Sequence, residues 1–160
     1  MLARDVAQSH PDGVARLVLA GTRPGGPKAP PMPQQTVALM EEAATIDRDQ
    51  LLRRFVENAL APSTVEMRPE VVERIMAHRL ATAQDPAAWA AQAAAAMTFD
   101  AYDRIGEIAA PTLVIWGEAD VVVDPRNSDL LCELLANWDN AVFPDGGHLF
   151  FWEAPPGFVH

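Results

Sequence analysis

Two short stretches of this 160-residue sequence carry side chains suited to proton transfer. Gly117-Glu-Ala-Asp120 follows the apolar run Pro111–Trp116, and Asp145-Gly-Gly-His148 follows Ala141–Phe143. In open parallel sheets ligands bind beyond the carboxyl ends of the strands, so polar groups just past strands are the first candidates for a site. A carboxylate and an imidazole at two such ends, in that chain order, are the later two members of a Ser…Asp…His arrangement. The imidazole would take the hydroxyl proton and return it to the leaving group. The carboxylate would hold the imidazole tautomer and stabilise the imidazolium. Taken alone, Asp120 also reads as a turn residue and His148 as a loop histidine. Asp124 is a rival acid, but its place before Pro125 reads better as a helix cap.

Elements that could position these groups are readable on both sides of them. Residues 1–13 end a helix, with Leu2 and Val6, and Ala3 and Ala7 beside them, on one face and a break at His10-Pro-Asp-Gly. Val14–Ala20 is a buried-strand signal, covered on both faces. Between Thr22 and Gln35 five prolines and two glycines exclude helix and central strand, which makes this stretch a connector. Helical segments follow at Thr36–Ala44, Asp47–Ala61, Arg68–Ala83 and Asp85–Met97. Val72, Ile75, Met76 and Leu80 form the apolar stripe of the third. The fourth is Ala-rich, with Trp89 and Met97 suited to close packing. Pro111–Gly117 is a second buried strand, and Asp124-Pro125 opens a helix with Leu130, Leu131, Leu134 and Leu135 inside. Asn140–Phe143 is a third, shorter strand. Strands separated by helices predict an α/β layer architecture with a mainly parallel sheet.

The string Pro-Thr-Leu-Val-Ile-Trp-Gly-Glu-Ala-Asp-Val-Val-Val-Asp-Pro, followed by Gly-Gly-His-Leu-Phe-Phe-Trp-Glu-Ala-Pro, resembles the C-terminal signature of the α/β-hydrolase superfamily. His10-Pro-Asp-Gly-Val-Ala-Arg-Leu-Val-Leu-Ala-Gly-Thr is similar to the helix end and strand that follow the nucleophile elbow in that family. The resemblance implies an incomplete α/β-hydrolase fold, with core at 1–27 and 99–160 and a helical cap or lid at 28–98. It implies Asp120 as triad acid and His148 as triad base, with Val121, Val122 and Leu149 lining a substrate pocket. The function implied is that of the C-terminal part of a serine hydrolase, an enzyme of the carboxylic-ester-hydrolase type without a cofactor. Its substrate would be an ester, lactone or similar small acyl compound. Esterase, enol-lactonase, C–C bond hydrolase, depolymerase and epoxide hydrolase stay open, because they are separated by parts of the fold that this sequence does not match.

The sequence departs from that pattern in one place. No Gly-x-Ser-x-Gly occurs in it. By the family pattern Met1 would start about four residues past the serine, beyond the oxyanion loop as well, and the chain would stop at His160 before a final helix. None of Ser9, Ser63 and Ser128 stands on a strand–turn–helix elbow. The isolated chain is therefore expected to be inactive. The alternative from another class is a non-catalytic binding or interaction module derived from the fold. A dinucleotide-binding domain is disfavoured because no Gly-x-Gly-x-x-Gly turn opens a helix.

Composition narrows the partners. Residues 1–99 carry 11 acids and 10 bases, whereas 100–160 carry 11 acids and only Arg104 and Arg126. So acidic a lobe repels phosphate backbones, so nucleic acid is not an expected partner. No apolar run reaches the roughly 18 to 20 residues of a bilayer span, and Met-Leu-Ala-Arg-Asp does not read as a secretory signal, so the expected address is cytoplasmic and away from membranes. The single Cys132 excludes an internal disulfide and reads as a buried structural thiol. His10, His78 and His160 are too scattered for a metal site. Finally, an unpaired sheet edge beside Val14–Ala20 is expected to favour self-association.

Overall fold

The computed structural model describes residues 2–43, 45–82 and 85–153, apart from the side chains of Leu2, Pro86 and Trp89. The segment ends expected at Ala44 and Ala83, the packing of Leu2 and Trp89, and His160 lie outside what is described.

Three strands, β1 (Leu17–Ala20), β2 (Thr112–Gly117) and β3 (Trp138–Phe143), form one sheet in the order β1-β2-β3. β1 and β2 are parallel, in register from Leu17 with Thr112 to Ala20 with Ile115. Along the chain the helices are α1 (Leu2–Ser9), α2 (Gln34–Glu42), α3 (Arg48–Asn58), α4 (Pro62–Met67), α5 (Pro69–Ala81), α6 (Pro86–Thr98), α7 (Arg126–Leu134) and α8 (Phe150–Glu153). The expected α/β architecture is thus present. α4, a separate short helix opened by Pro62, divides what the sequence suggests is a single passage from the second helical segment to the third.

The helix starts follow from local chemistry. Asp47 caps α3 by accepting from the main-chain N–H groups of Asp49 at 2.9 Å and Gln50 at 3.3 Å. Asp85 caps α6 in the same way through Ala87, at 3.1 Å, with Pro86 at the first helical position where no donor is needed.

By its internal contacts the chain falls into two units. One comprises Met1–Pro30, Gln84–Ile115 and Arg126–Ala141; the other comprises Pro31–Ala83, Trp116–Pro125 and Val142–His160.

In the first unit Ala7, Leu17, Leu19, Ile105, Ile108, Val114, Leu131 and Leu135 are buried. β2 is buried except at Leu113, which is half-buried, but β1 alternates, with Val18 54% exposed. The expectation of two covered faces therefore fails for β1. It is an edge strand, as β3 is, and the described residues cover one of its faces only. α1 also differs from the expectation, since Arg4 and Ala7 are buried while Val6 is 47% exposed.

Arg4 is an unusual occupant of a core. Its Nη1 donates to the Arg23 carbonyl at 2.5 Å and its guanidinium lies 4.7 Å from the centre of the Phe99 ring. Its Nε is buried without a partner, and among the described residues it meets no carboxylate. Burial, and then the charge of Arg23, pull its pKa down from the ordinary guanidinium range to about 10, which leaves it protonated at neutral pH. A buried charge with so little compensation costs more than its contacts return. Arg4→Met is therefore expected to stabilise the chain by about 1–2 kcal/mol, read as a higher midpoint in urea. A lowered midpoint would show that the carbonyl and ring contacts outweigh desolvation.

The core of the second unit is Val56, Leu60, Val71, Val72, Ile75 and Met76, with Leu52, Val65, Leu149 and Trp152 packed on it. Leu80, expected on that stripe, is 56% exposed, and Val71 is buried instead. The last turn of α5 runs past the side chains that cover its first two. Met97 of α6 is likewise exposed, not packed.

Candidate active site

β2 ends at Gly117, and the chain turns there through Glu118 and Ala119 to Asp120. A Cβ on Gly117 would collide with the carbonyl oxygens of Gly146 and Gly147, so only glycine lets the two loops come this close. They are then joined through main-chain bonds, Glu118 N–H to the Phe143 carbonyl at 3.1 Å and Ala119 N–H to the Gly146 carbonyl at 2.9 Å. The second loop is a tight turn after β3. Asp145 takes a left-handed conformation with φ 55°, which aspartate tolerates better than most residues, and Gly146 N–H donates back to the Phe143 carbonyl at 3.1 Å. Beside it the rings of Phe143 and Phe150 stack, with centroids 4.9 Å apart.

These two turns bring the candidate acid and base together. Asp120 Oδ2 lies 2.8 Å from His148 Nδ1. Asp120 Oδ1 accepts from the main-chain N–H groups of Val122 and Val123, both at 2.8 Å. The carboxylate side chain is 1% exposed and the imidazole 28%. A buried carboxylate is costly unless hydrogen-bonded, and here three donors meet its two oxygens. A carboxylate only accepts, so the contact puts the imidazole proton on Nδ1 and the lone pair on Nε2.

The other candidates fall nearby or elsewhere. Val121 and Val122 are half-buried beside the acid. The Val121 carbonyl accepts the Thr36 hydroxyl at 2.5 Å, and Asn58 Nδ2 donates to that hydroxyl oxygen at 2.7 Å. Leu149 turns onto the apolar core of α3 and α5. Ser9 closes α1, Ser63 stands in the first turn of α4, and Ser128 is buried on α7. Ser63, Arg68, Phe143, Asp145, Phe150 and Glu153 help to line a cavity of about 200 Å³. Cys132 is buried and free; burial and then the Asp129 carboxylate push its pKa up, which keeps it a thiol. Among the described residues no three His, Cys, Asp or Glu side chains gather as metal ligands, and no helix is long and apolar enough to cross a membrane. His78 lies against the Trp152 ring.

The family profile described as the alpha/beta hydrolase fold matches residues 1–155. The chain belongs to the α/β-hydrolase family. It is 34% identical over 155 residues to a 2-hydroxy-6-oxononadienedioate/2-hydroxy-6-oxononatrienedioate hydrolase of Paraburkholderia xenovorans (strain LB400), covering 92% of this chain and 52% of that protein. Among solved structures it is similar to Est816, an N-acyl homoserine lactone degrading enzyme, with a TM-score of 0.74 and 27% identity, over 99% of this chain and 60% of that one. A hydrolase from Pseudomonas aeruginosa PA01 matches with a TM-score of 0.77 and 27% identity, over 98% of this chain and 57% of that one. The chain spans about half the length of the curated relatives it matches.

Several residues that shape the site of this α/β hydrolase chain carry no role in the sequence reading. Glu153 stands in the family string quoted above, where its spacing after Gly-Gly-His is the one signal that could have found it. Gly117 and Gly147 are visible only as turn glycines. Thr36 and Asn58, on α2 and α3, have no local signature, since two polar residues 22 positions apart on different helices predict nothing together.

Proposed function

We propose that this chain provides the acid and base of an α/β hydrolase acting on a small acyl substrate, an ester, a lactone or a related compound. The observation that carries the reading is the 2.8 Å contact between Asp120 Oδ2 and His148 Nδ1, with Oδ1 pinned by two main-chain N–H groups. This geometry presents His148 Nε2 as the basic nitrogen. It would take the proton of a nucleophilic hydroxyl as that oxygen attacks the acyl carbon, then deliver it to the leaving oxygen. A second cycle, with water as the nucleophile and the enzyme's own oxygen as the leaving group that takes the proton, would hydrolyse the acyl-enzyme. Asp120 would stabilise the imidazolium formed in each cycle. Only side chains and water take part, so no cofactor enters. Val121 and Val122, half-buried beside the acid, are the proposed pocket residues, whereas Leu149 packs on the core of α3 and α5.

The substrate class gains support from the names of the relatives, one a hydrolase of an oxo-dienedioate and the other a degrader of acyl homoserine lactones. The nucleophile has to come from outside these 160 residues, which hold no Gly-x-Ser-x-Gly. The open edge of β1, with Val18 exposed, supports association of this chain with another copy or with a segment carrying the remaining strands.

The isolated polypeptide is expected to hydrolyse p-nitrophenyl acetate no faster than its His148→Ala variant, and an in-frame Gly-x-Ser-x-Gly upstream of Met1 would support a nucleophile supplied by the same protein. Activity abolished by a phosphonate that labels Ser9, Ser63 or Ser128 would overturn the assignment of an external nucleophile. Upstream sequence without the motif would favour a non-catalytic interaction module.

A further inference from the structure

Glu153 is a carboxylate at 6% exposure whose charge the proposed proton transfers do not use. Its Oε1 accepts the main-chain N–H of Ala61 at 2.7 Å and its Oε2 accepts that of Gly147 at 2.7 Å. Gly147 directly precedes His148. On the other side of the histidine, Leu149 N–H donates to the Ala59 carbonyl at 2.8 Å. The main chain on both sides of His148 is thus tied to the segment Ala59–Ala61 between α3 and α4. No slack is left in that approach, because a Cβ on Gly147 would lie 2.5 Å from the Leu60 carbonyl carbon and from the Ala61 nitrogen.

The charged groups around Glu153 do not neutralise its carboxylate in place of these amides. Arg68 donates to the Glu153 carbonyl at 2.8 Å and to the Thr64 hydroxyl at 2.9 Å, and Arg74 donates to the Trp152 carbonyl at 3.1 Å. Asp145 lines the same cavity as Glu153 and carries a like charge. The buried charge is therefore held by two main-chain donors, in the charge-assisted bonds that are the stronger class.

We propose that Glu153 is a positioning residue for the base. By clamping Gly147 onto Ala61 it sets the place from which the His148 ring reaches Asp120, and so the length of the Nδ1–Oδ2 contact. This inference rests on the reading of Asp120 and His148 as an acid–base pair.

Glu153→Gln tests it with almost no change of shape. Glutamine offers one acceptor oxygen, and its amide nitrogen must then face one of the two N–H groups. The amide exchange of Gly147 or Ala61 is expected to speed up by about tenfold or more, and the low-field Nδ1–H proton signal of His148 to move or broaden. Absence of that signal in the wild-type chain would overturn the acid–base reading and this inference together. Its presence in the wild type, unchanged in Glu153→Gln, would overturn the inference alone, even if the variant melts earlier. If the variant does not fold, the wild-type chain decides. Scalar coupling across the hydrogen bond from the Gly147 amide nitrogen to the Glu153 carboxyl carbon is expected, and its absence overturns the clamp.

Discussion

Gly117→Ala is expected to cost at least about 3 kcal/mol of stability and to separate Asp120 from His148, from the addition of one methyl group. The new Cβ would press on the carbonyl oxygens of Gly146 and Gly147, which are main-chain atoms and cannot rotate away. Neither loop can yield alone. The Asp120 turn is bonded to the other loop through Glu118 and Ala119. The His148 turn is held by the Glu153 and Ala59 contacts and against the stacked rings of Phe143 and Phe150. Relief therefore requires breaking the inter-loop bonds that set the 2.8 Å contact of acid and base. Urea denaturation followed by tryptophan fluorescence reads the stability, and the His148 Nδ1–H signal reads the contact. A midpoint close to that of the wild type would show that the loops are looser than these distances imply. Gly147 is crowded in the same way, but by the Leu60–Ala61 backbone.

Asp120 and His148 are legible in the sequence as a candidate pair because each follows a local pattern, a polar residue just past an apolar run with glycines to turn the chain. The strands and most helices are legible for the same reason, since apolar periodicity, prolines at helix starts and capping aspartates act within a few residues. What escaped depends on partners far along the chain. Periodicity puts Val6 on the inner face of α1, yet the buried neighbour is Arg4, whose carbonyl partner is Arg23 and whose ring partner is Phe99. Leu80 continues the stripe of α5 in sequence, but the described residues leave it exposed. Two covered faces for β1 would need neighbours that the described residues do not provide for Val18. The supports of the site are the extreme case. Glu153 reaches an amide 92 residues away and Thr36 a carbonyl 85 residues away, both through main-chain groups that have no residue identity to read.

Asp120→Asn separates the role of the carboxylate as a fold element from its role in setting the base. Asparagine can keep the oxygen that accepts from Val122 and Val123, so the turn retains its two main-chain bonds and stability is expected to change by no more than about 1–2 kcal/mol. The atom facing His148 becomes an amide N–H donor. Nδ1 must then accept, and the ring proton moves to Nε2, which removes the lone pair from the nitrogen proposed to take the hydroxyl proton. Long-range nitrogen–proton correlation spectra of the imidazole are expected to show Nδ1–H in the wild-type chain and Nε2–H in Asp120→Asn. In a polypeptide carrying the nucleophile as well, the same change is expected to lower kcat by about 10⁴-fold with little effect on folding. Asp120→Ala gives the contrasting result, a loss of about 3 kcal/mol or more, because two buried N–H groups and the imidazole lose their acceptor together. If Asp120→Asn kept Nδ1–H, or kept near-wild-type turnover in the completed enzyme, the aspartate would be a turn residue that happens to touch a histidine, and the acid–base reading of this site would fail.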